Sequence, residues 1–215
     1  MNNRVIVLAM LLTVLVFPLV AQQAIVESAS GKVEYRLGSG AWQTVSPGQQ
    51  LALNGTISTG FGASAVVRVG TAGNGSVLEI SQLTRLTLEE LVEREGTQST
   101  SLFVPVGRVR ATVSTTEGRS ADFKVRGPLS TAAVRGTGFE TNGWQISVTE
   151  GVVAFANALG EGRNINPGQI SVTTGGAPTD PADESNGRAD VGDGEGPGDF
   201  DDGPPSSGYI TVRWQ

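Results

Sequence analysis

The sequence predicts an all-β fold, an antiparallel β sandwich or roll built around a β-hairpin unit that occurs twice. Short runs of Val, Ile, Leu, Thr and aromatic residues recur at intervals of about ten residues, with Gly-rich turns between them. Apolar and polar residues alternate within these runs, which is typical of strands with one buried face. A Gly-x-Val-x-aromatic pattern followed by Pro-Gly-Gln occurs near both ends of the β-rich region.

The clearest strand predictions are runs of β-branched and apolar residues separated by Gly-rich turns. These runs are Lys32–Leu37, Ala65–Val69, Val77–Ile80, Ala111–Ser114, Ala121–Val125, Gln145–Thr149 and Val152–Ala156.

One segment, residues 83–95, is open to two interpretations because its leucines and glutamates also suit an amphipathic helix. We favour a strand over Arg85–Leu91, where Leu86 and Leu88 alternate with Thr87 and the neighbouring runs are β.

The hairpin repeat becomes visible when the sequence is aligned with itself at an offset of 120 residues. Each copy predicts a strand, a tight turn, a second strand and a Pro-Gly corner, in which Pro fixes its φ and Gly accepts a positive φ. We favour a structural role for the corners over a paired ligand site, because backbone geometry already explains these residues. The matching positions are Gly31, Val33, Tyr35, Pro47, Gly48 and Gln49 in one copy and Gly151, Val153, Phe155, Pro167, Gly168 and Gln169 in the other.

The N-terminal residues 1–21 predict a secretory signal peptide. Arg4 precedes an uncharged apolar run that is too short to span a bilayer and ends at Ala21. We therefore expect export to the periplasm or the extracellular space, with no stable membrane span after cleavage. Residues 22–176 then form the β domain.

The C-terminal part predicts a disordered acidic linker over residues 177–208 and a final strand over residues 209–215. Nine acidic residues and one arginine lie between residues 180 and 202. A solvated linker explains these acids better than a calcium site, because the ligand order of a calcium loop is missing. The alternating run Tyr209–Trp214 is expected to pair with an edge of the domain or, as an alternative, with a partner's sheet.

Composition disfavours two function classes. Residues 22–176 carry twelve acidic and twelve basic residues, so this region offers phosphate little attraction and nucleic acid is not an expected partner. The sequence contains no His and no Cys, which removes the commonest proton-transfer group and thiol nucleophile. A facing pair of Glu140 and Glu150 is the remaining catalytic option. We predict a protein without enzymatic activity, cofactor or metal.

The order of motifs along the β region resembles the FecR-like domain family. Its most specific part is an Ala-Val-Arg-Gly-Thr-x-Phe element followed by Glu-Gly-x-Val. The resemblance implies an envelope module of signal transducers that pair a sigma-factor-binding arm with a periplasmic domain. Only residues 1–4 precede the apolar run, so we expect a module without such an arm. The residues of this motif, for which we favour a structural role, are Val134, Arg135, Gly136, Thr137, Phe139, Glu150, Gly151 and Val153.

Three side chains are candidate contact residues. Arg135 is surrounded by small residues and is expected to form a structural ion pair with Glu150 or Glu140, the alternative being a ligand clamp. Trp42 and Trp144 follow turn-forming glycines, so each is either the edge of the core or an exposed ring that stacks on a sugar or a partner. The expected function is interaction with an envelope protein, or sensing. The alternative is a glycan-binding or structural surface module.

Overall fold

Alternation of apolar and polar residues produces two β-sheets in the computed structural model of the chain, which describes residues 23–71, 74–94, 97–114 and 120–183. These residues form eighteen strands, nine in each sheet, and no helix lies among them. Sheet A contains, in spatial order, β18 (Ala182–Asp183), β17 (Gln169–Val172), β14 (Gln145–Glu150), β13 (Gly138–Thr141), β10 (Val109–Thr112), β7 (Asn74–Ile80), β6 (Ser64–Thr71), β1 (Gln23–Ser30) and β4 (Gln50–Leu51). Sheet B contains β16 (Gly162–Ile165), β15 (Val153–Asn157), β12 (Ser130–Val134), β11 (Ser120–Arg126), β9 (Thr97–Val106), β8 (Arg85–Arg94), β5 (Gly55–Thr59), β2 (Val33–Leu37) and β3 (Gln43–Thr44).

The chain crosses repeatedly between the sheets, after one or two strands in each. Neighbouring strands pair antiparallel with one exception among the described residues, the parallel pair β9 and β11. The predicted all-β sandwich or roll is therefore confirmed.

A single hydrophobic core contains side chains from both sheets. Phe139, Leu78 and Ile146 enter it from sheet A, and Phe123, Phe155 and Leu86 from sheet B, each at most 1% exposed. The inward residues alternate along each strand; β12, for example, has a buried, half-buried, buried order. Burial of this apolar surface stabilises a chain that contains no cysteine and therefore no disulfide.

The two copies of the repeat have the same local geometry. Gly31 and Gly151 both have a φ of 72° and lie where the chain passes from sheet A to sheet B. In each corner the glycine N–H donates to a valine carbonyl of the preceding strand in sheet A, Gly48 to Val26 at 2.8 Å and Gly168 to Val148 at 2.7 Å.

The glutamine of each Pro-Gly-Gln corner closes its own turn. Its side-chain Oε1 accepts the N–H of the residue three positions earlier, from Ser46 at 3.4 Å to Gln49 and from Asn166 at 3.0 Å to Gln169. These internal hydrogen bonds support the interpretation of the corners as structural.

Two sequence predictions can be compared directly with strand boundaries. The ambiguous segment is a strand, β8, which extends three residues beyond the predicted Leu91 to Arg94. Residue 176 is the predicted end of the domain; beyond it, β18 pairs with β17, and the Arg163 guanidinium donates to the carbonyl of Pro178 at 2.8 Å. Arg163 also forms an ion pair with Asp180. Residues 177–183 therefore contact the domain.

The signal peptide predicted over residues 1–21, the rest of the acidic linker and the strand predicted over residues 209–215 lie outside the described residues. Within the described ranges, no helix has the length and apolar character needed to cross a membrane.

Candidate partner-binding groove

Four chain segments meet at one end of the two sheets and form an open groove of about 590 Å³, which we call the end groove. Each segment connects two strands: β7 to β8, β9 to β10, β11 to β12 and β13 to β14. Loops held by a rigid β scaffold are common positions for binding residues. The lining residues are Ser81, Gln82, Leu83, Pro105, Val106, Gly107, Arg108, Pro128, Leu129, Asn142, Gly143 and Trp144.

Each of the four segments contributes one large apolar side chain that is exposed to solvent. The exposed fractions are 57% for Leu83, 54% for Val106, 39% for Leu129 and 46% for Trp144. Single exposed apolar residues are normal on protein surfaces, but a cluster at a concave site is typical of a binding surface.

Thr84 connects two of the four segments. Its Oγ1 accepts the N–H of Arg108 at 2.9 Å and lies 3.2 Å from the Arg108 carbonyl oxygen, to which it donates. Thr84 is 1% exposed, and both bonds are at least partly buried. The β7–β8 and β9–β10 connections are therefore fixed relative to each other.

The other two segments are also joined by a buried hydroxyl. Ser130 Oγ donates to the carbonyl of Gly143 at 2.9 Å. Asn142 Oδ1 accepts the N–H groups of Trp144 and Gln145 at 3.2 and 2.8 Å, which shapes the turn that carries the indole. Hydrogen bonds within and between the loops therefore give a preformed groove.

Leu83 has a backbone conformation that is unusual for a side chain of its size. Its φ is 55°, in the left-handed region where Gly and Asn are preferred. The Leu83 N–H donates to the carbonyl of Gly60 at 3.2 Å, and this bond holds the turn. A bulky residue held in this conformation and exposed at a concave site is a candidate contact residue.

A polar cleft of about 240 Å³ adjoins the end groove, and Arg108 and Asn142 line both. Within the cleft, Glu140 forms ion pairs with two guanidinium groups, 3.0 Å from Arg108 Nη1 and 3.0 Å from Arg110 Nη2, and it accepts a hydrogen bond from Arg110. The Glu140 side chain is 26% exposed, whereas the two arginines are more than half exposed.

Residues 55–154 match the model of the family described as FecR protein. The chain carries a FecR-like domain. All four segments of the end groove and all three charged residues of the adjoining cleft lie inside the matched region.

Two solved structures of a candidate anti-sigma factor from Parabacteroides distasonis ATCC 8503 are similar to this chain. Their TM-scores are 0.47 and 0.46, at 18% and 19% sequence identity. Each match covers 62% of this chain and 63% or 62% of the solved chain, so the similarity extends over less than two thirds of those proteins. No curated protein matches the sequence.

The two tryptophans among the described residues have different surroundings. Trp144 lines the end groove, whereas Trp42 lies beside Arg36 and Arg85, whose guanidinium carbons are 4.6 and 5.8 Å from its ring centroid. Cation–π contacts of this kind stabilise the fold by about 0.5–1 kcal/mol each at exposed sites. Only Trp144 is therefore a candidate contact residue of the groove.

The ion pair predicted for Arg135 is wrong. The Arg135 side chain is exposed, and Glu140 is paired with Arg108 and Arg110 instead. Strand register explains the error, because Arg135 follows the last residue of β12 in sheet B, whereas Glu140 points outward from β13 in sheet A. Glu150 is exposed and lies opposite Gly138 rather than Glu140, so the two glutamates are not register partners.

The remaining residues of the family motif lie in or beside the core. Val134, Phe139 and Val153 are at most 3% exposed. Thr137 is 4% exposed, and its carbonyl accepts the N–H of Val113 at 2.8 Å. Gly136 and Gly151 have positive φ angles of 86° and 72°. These positions suit the structural role that the sequence favoured for the motif.

Sequence reasoning missed Leu83, Val106 and Leu129 as site residues, as well as the pairing of Arg108 and Arg110 with Glu140. Each of the three apolar residues lies next to Gly or Pro or in a turn, at or beyond the end of a strand. That local pattern could have identified these residues as exposed apolar side chains. Their convergence in one groove depends on the fold and cannot be read from the local sequence.

Proposed function

We propose that the FecR-like domain is a non-catalytic module of the cell envelope that binds a partner protein through the end groove. The observation that carries the proposal is the convergence of four exposed apolar side chains from four segments on one preformed concave site. The signal peptide predicted from the sequence supports a periplasmic or extracellular location. The family resemblance supports a role in sensing or regulation.

The composition of the groove favours binding over catalysis. Arg108 is the one ionisable residue among those that line it. Among the described residues, no cluster of three or more potential metal ligands occurs. An apolar site with a few polar groups at its rim is typical of protein interfaces, in which charged residues are depleted at the centre.

Photo-crosslinking in intact cells tests the proposal. A photoreactive amino acid placed at Val106 in the full chain is expected to capture one discrete protein. The matched control is the same amino acid at Leu37, which is also 54% exposed but lies at the end of β2, opposite Gly55 and away from the groove loops. Absence of a protein adduct at Val106, or the same adducts at both positions, would contradict the proposal.

Trp144→Ala is expected to lower adduct formation from Val106 by about tenfold, because central aromatic residues dominate many interfaces. Its effect on the free energy of unfolding should stay below about 1 kcal/mol, since the indole is 46% exposed. Thermal unfolding of the purified variant provides the second measurement. A loss of adduct that accompanies unfolding would not count in favour of the proposal.

A glycan-binding module is the second candidate, favoured by the half-exposed indole of Trp144 beside the amide of Asn142. It predicts that purified protein sediments with isolated cell-wall polysaccharide and that Trp144→Ala abolishes this. Sedimentation that depends on Trp144, together with no protein adduct at Val106, would replace the first proposal with the second.

A further inference from the structure

We infer that the partner segment carries an acidic residue next to its apolar residues, and that Arg108 and Arg110 bind this carboxylate. The inference deepens the proposed function and depends on it, because it assumes that a protein segment occupies the end groove. It adds the chemical feature of the partner segment, a carboxylate, that the domain would recognise.

Continuity of the two sites is the first argument. Arg108 and Asn142 line both the apolar groove and the polar cleft, so an extended segment leaving the groove enters the cleft directly. The rest of the cleft consists mainly of polar residues of sheet A. Those on its outer face are Arg110, Glu140, Gln145, Ser147 and Thr149, with Ile170 as the apolar exception, and Thr141 is buried.

Charge is the second argument. Two guanidinium groups share the carboxylate of Glu140, so these three side chains together carry a net charge of +1; the exposed Glu79 lies opposite Arg110 in the register of β7. A guanidinium has five N–H donors; Arg110 donates one hydrogen bond to Glu140, and Arg108 forms an ion pair with the same carboxylate. Both arginine side chains are more than half exposed, at 57% and 56%. Donors therefore remain for a second carboxylate, which guanidinium binds in a planar, two-point manner.

Three synthetic peptides test the inference. All contain the same apolar core, Leu-Thr-Phe-Thr-Leu, followed by two Asp, two Ser or two Lys residues, and binding to the full chain is followed by fluorescence anisotropy. We expect the Asp peptide to bind about tenfold more tightly than the Ser peptide and the Lys peptide to bind most weakly. The difference should decrease at high salt, because exposed charges are screened.

Charge-changing variants show whether Arg108 and Arg110 are the residues that bind the carboxylate. The double variant Arg108→Gln/Arg110→Gln changes the summed charge of residues 108, 110 and 140 from +1 to −1, because Glu140 remains. We expect it to reverse the order of the Asp and Lys peptides. Glu140→Gln raises the summed charge of the same three positions to +2 and should strengthen binding of the Asp peptide. Arg94→Gln is the control: Arg94 is exposed at the far end of β8, and its replacement should leave the order unchanged.

The failure of this inference differs from the failure of the proposed function. Equal affinities for the Asp and Ser peptides, both weakened by Trp144→Ala, would overturn the carboxylate site and leave the groove intact as a protein-binding site. An unchanged peptide order in the double variant, with its melting temperature maintained, would also overturn the inference. If the Asp peptide does not bind at millimolar concentration, the inference is wrong. The crosslinking experiment at Val106 then shows whether the groove binds a protein at all.

Discussion

Replacement of Gly107 by Ala is expected to lower the free energy of unfolding by about 3 kcal/mol or more. Gly107 has a φ of 97°, and a Cβ atom at this position would lie 2.3 Å from the Cα of Thr84. The obstacle is backbone, which cannot rotate away as a flexible side chain does. Either the backbone of the β9–β10 connection or that of the β7–β8 connection must move, and the hydrogen bonds between Thr84 and Arg108 are then lost.

Gly48→Ala provides the matched control. Gly48 also has a positive φ, 86°, but a Cβ added to it would meet no atom within 4 Å. It should therefore show the cost of the left-handed conformation alone, about 1 kcal/mol. Urea unfolding of both variants gives the comparison. Equal losses of stability would mean that the close approach of Gly107 to Thr84 is not present in solution.

The fold was largely predictable from the sequence because its strands alternate apolar and polar residues. The same regularity made the repeat visible, since Gly31 and Gly151 occupy equivalent crossings between the sheets. Segment 83–95 was ambiguous for a physical reason: its leucines and glutamates satisfy a helical period as well as a strand period. Pairing with β5 and β9 decides in favour of the strand.

The candidate site was mostly not predictable. Trp144 could be identified as a possible contact residue because an indole beside a turn is often exposed in part. Leu83 and Val106, by contrast, are recognised as site residues only from the fold, in which they lie at the two ends of the hairpin formed by β8 and β9. The choice of Glu140 as a partner for Arg135 failed for the same reason, since pairing across sheets depends on strand order.

Core packing and surface binding are divided between adjacent residues of β13 in the FecR-like domain. Phe139 points into the core, and Glu140, the next residue, points outward and binds two arginines. Period-two alternation places them on opposite faces of the strand. The same strand therefore supports the core with one side chain and the proposed carboxylate site with the next.

Phe139→Ala is accordingly expected to lower the free energy of unfolding by about 4 kcal/mol, the usual loss when a buried aromatic ring is removed. Phe139 is 0% exposed and lies between Ala111 and Val148 in the register of sheet A. Arg135→Ala, four residues earlier in the same motif, should change stability by less than about 0.5 kcal/mol because its side chain is exposed. Urea unfolding measures both. A large loss for Arg135→Ala would show that the arginine makes a stabilising contact in solution, whereas a small loss for Phe139→Ala would contradict the central position of this ring in the core.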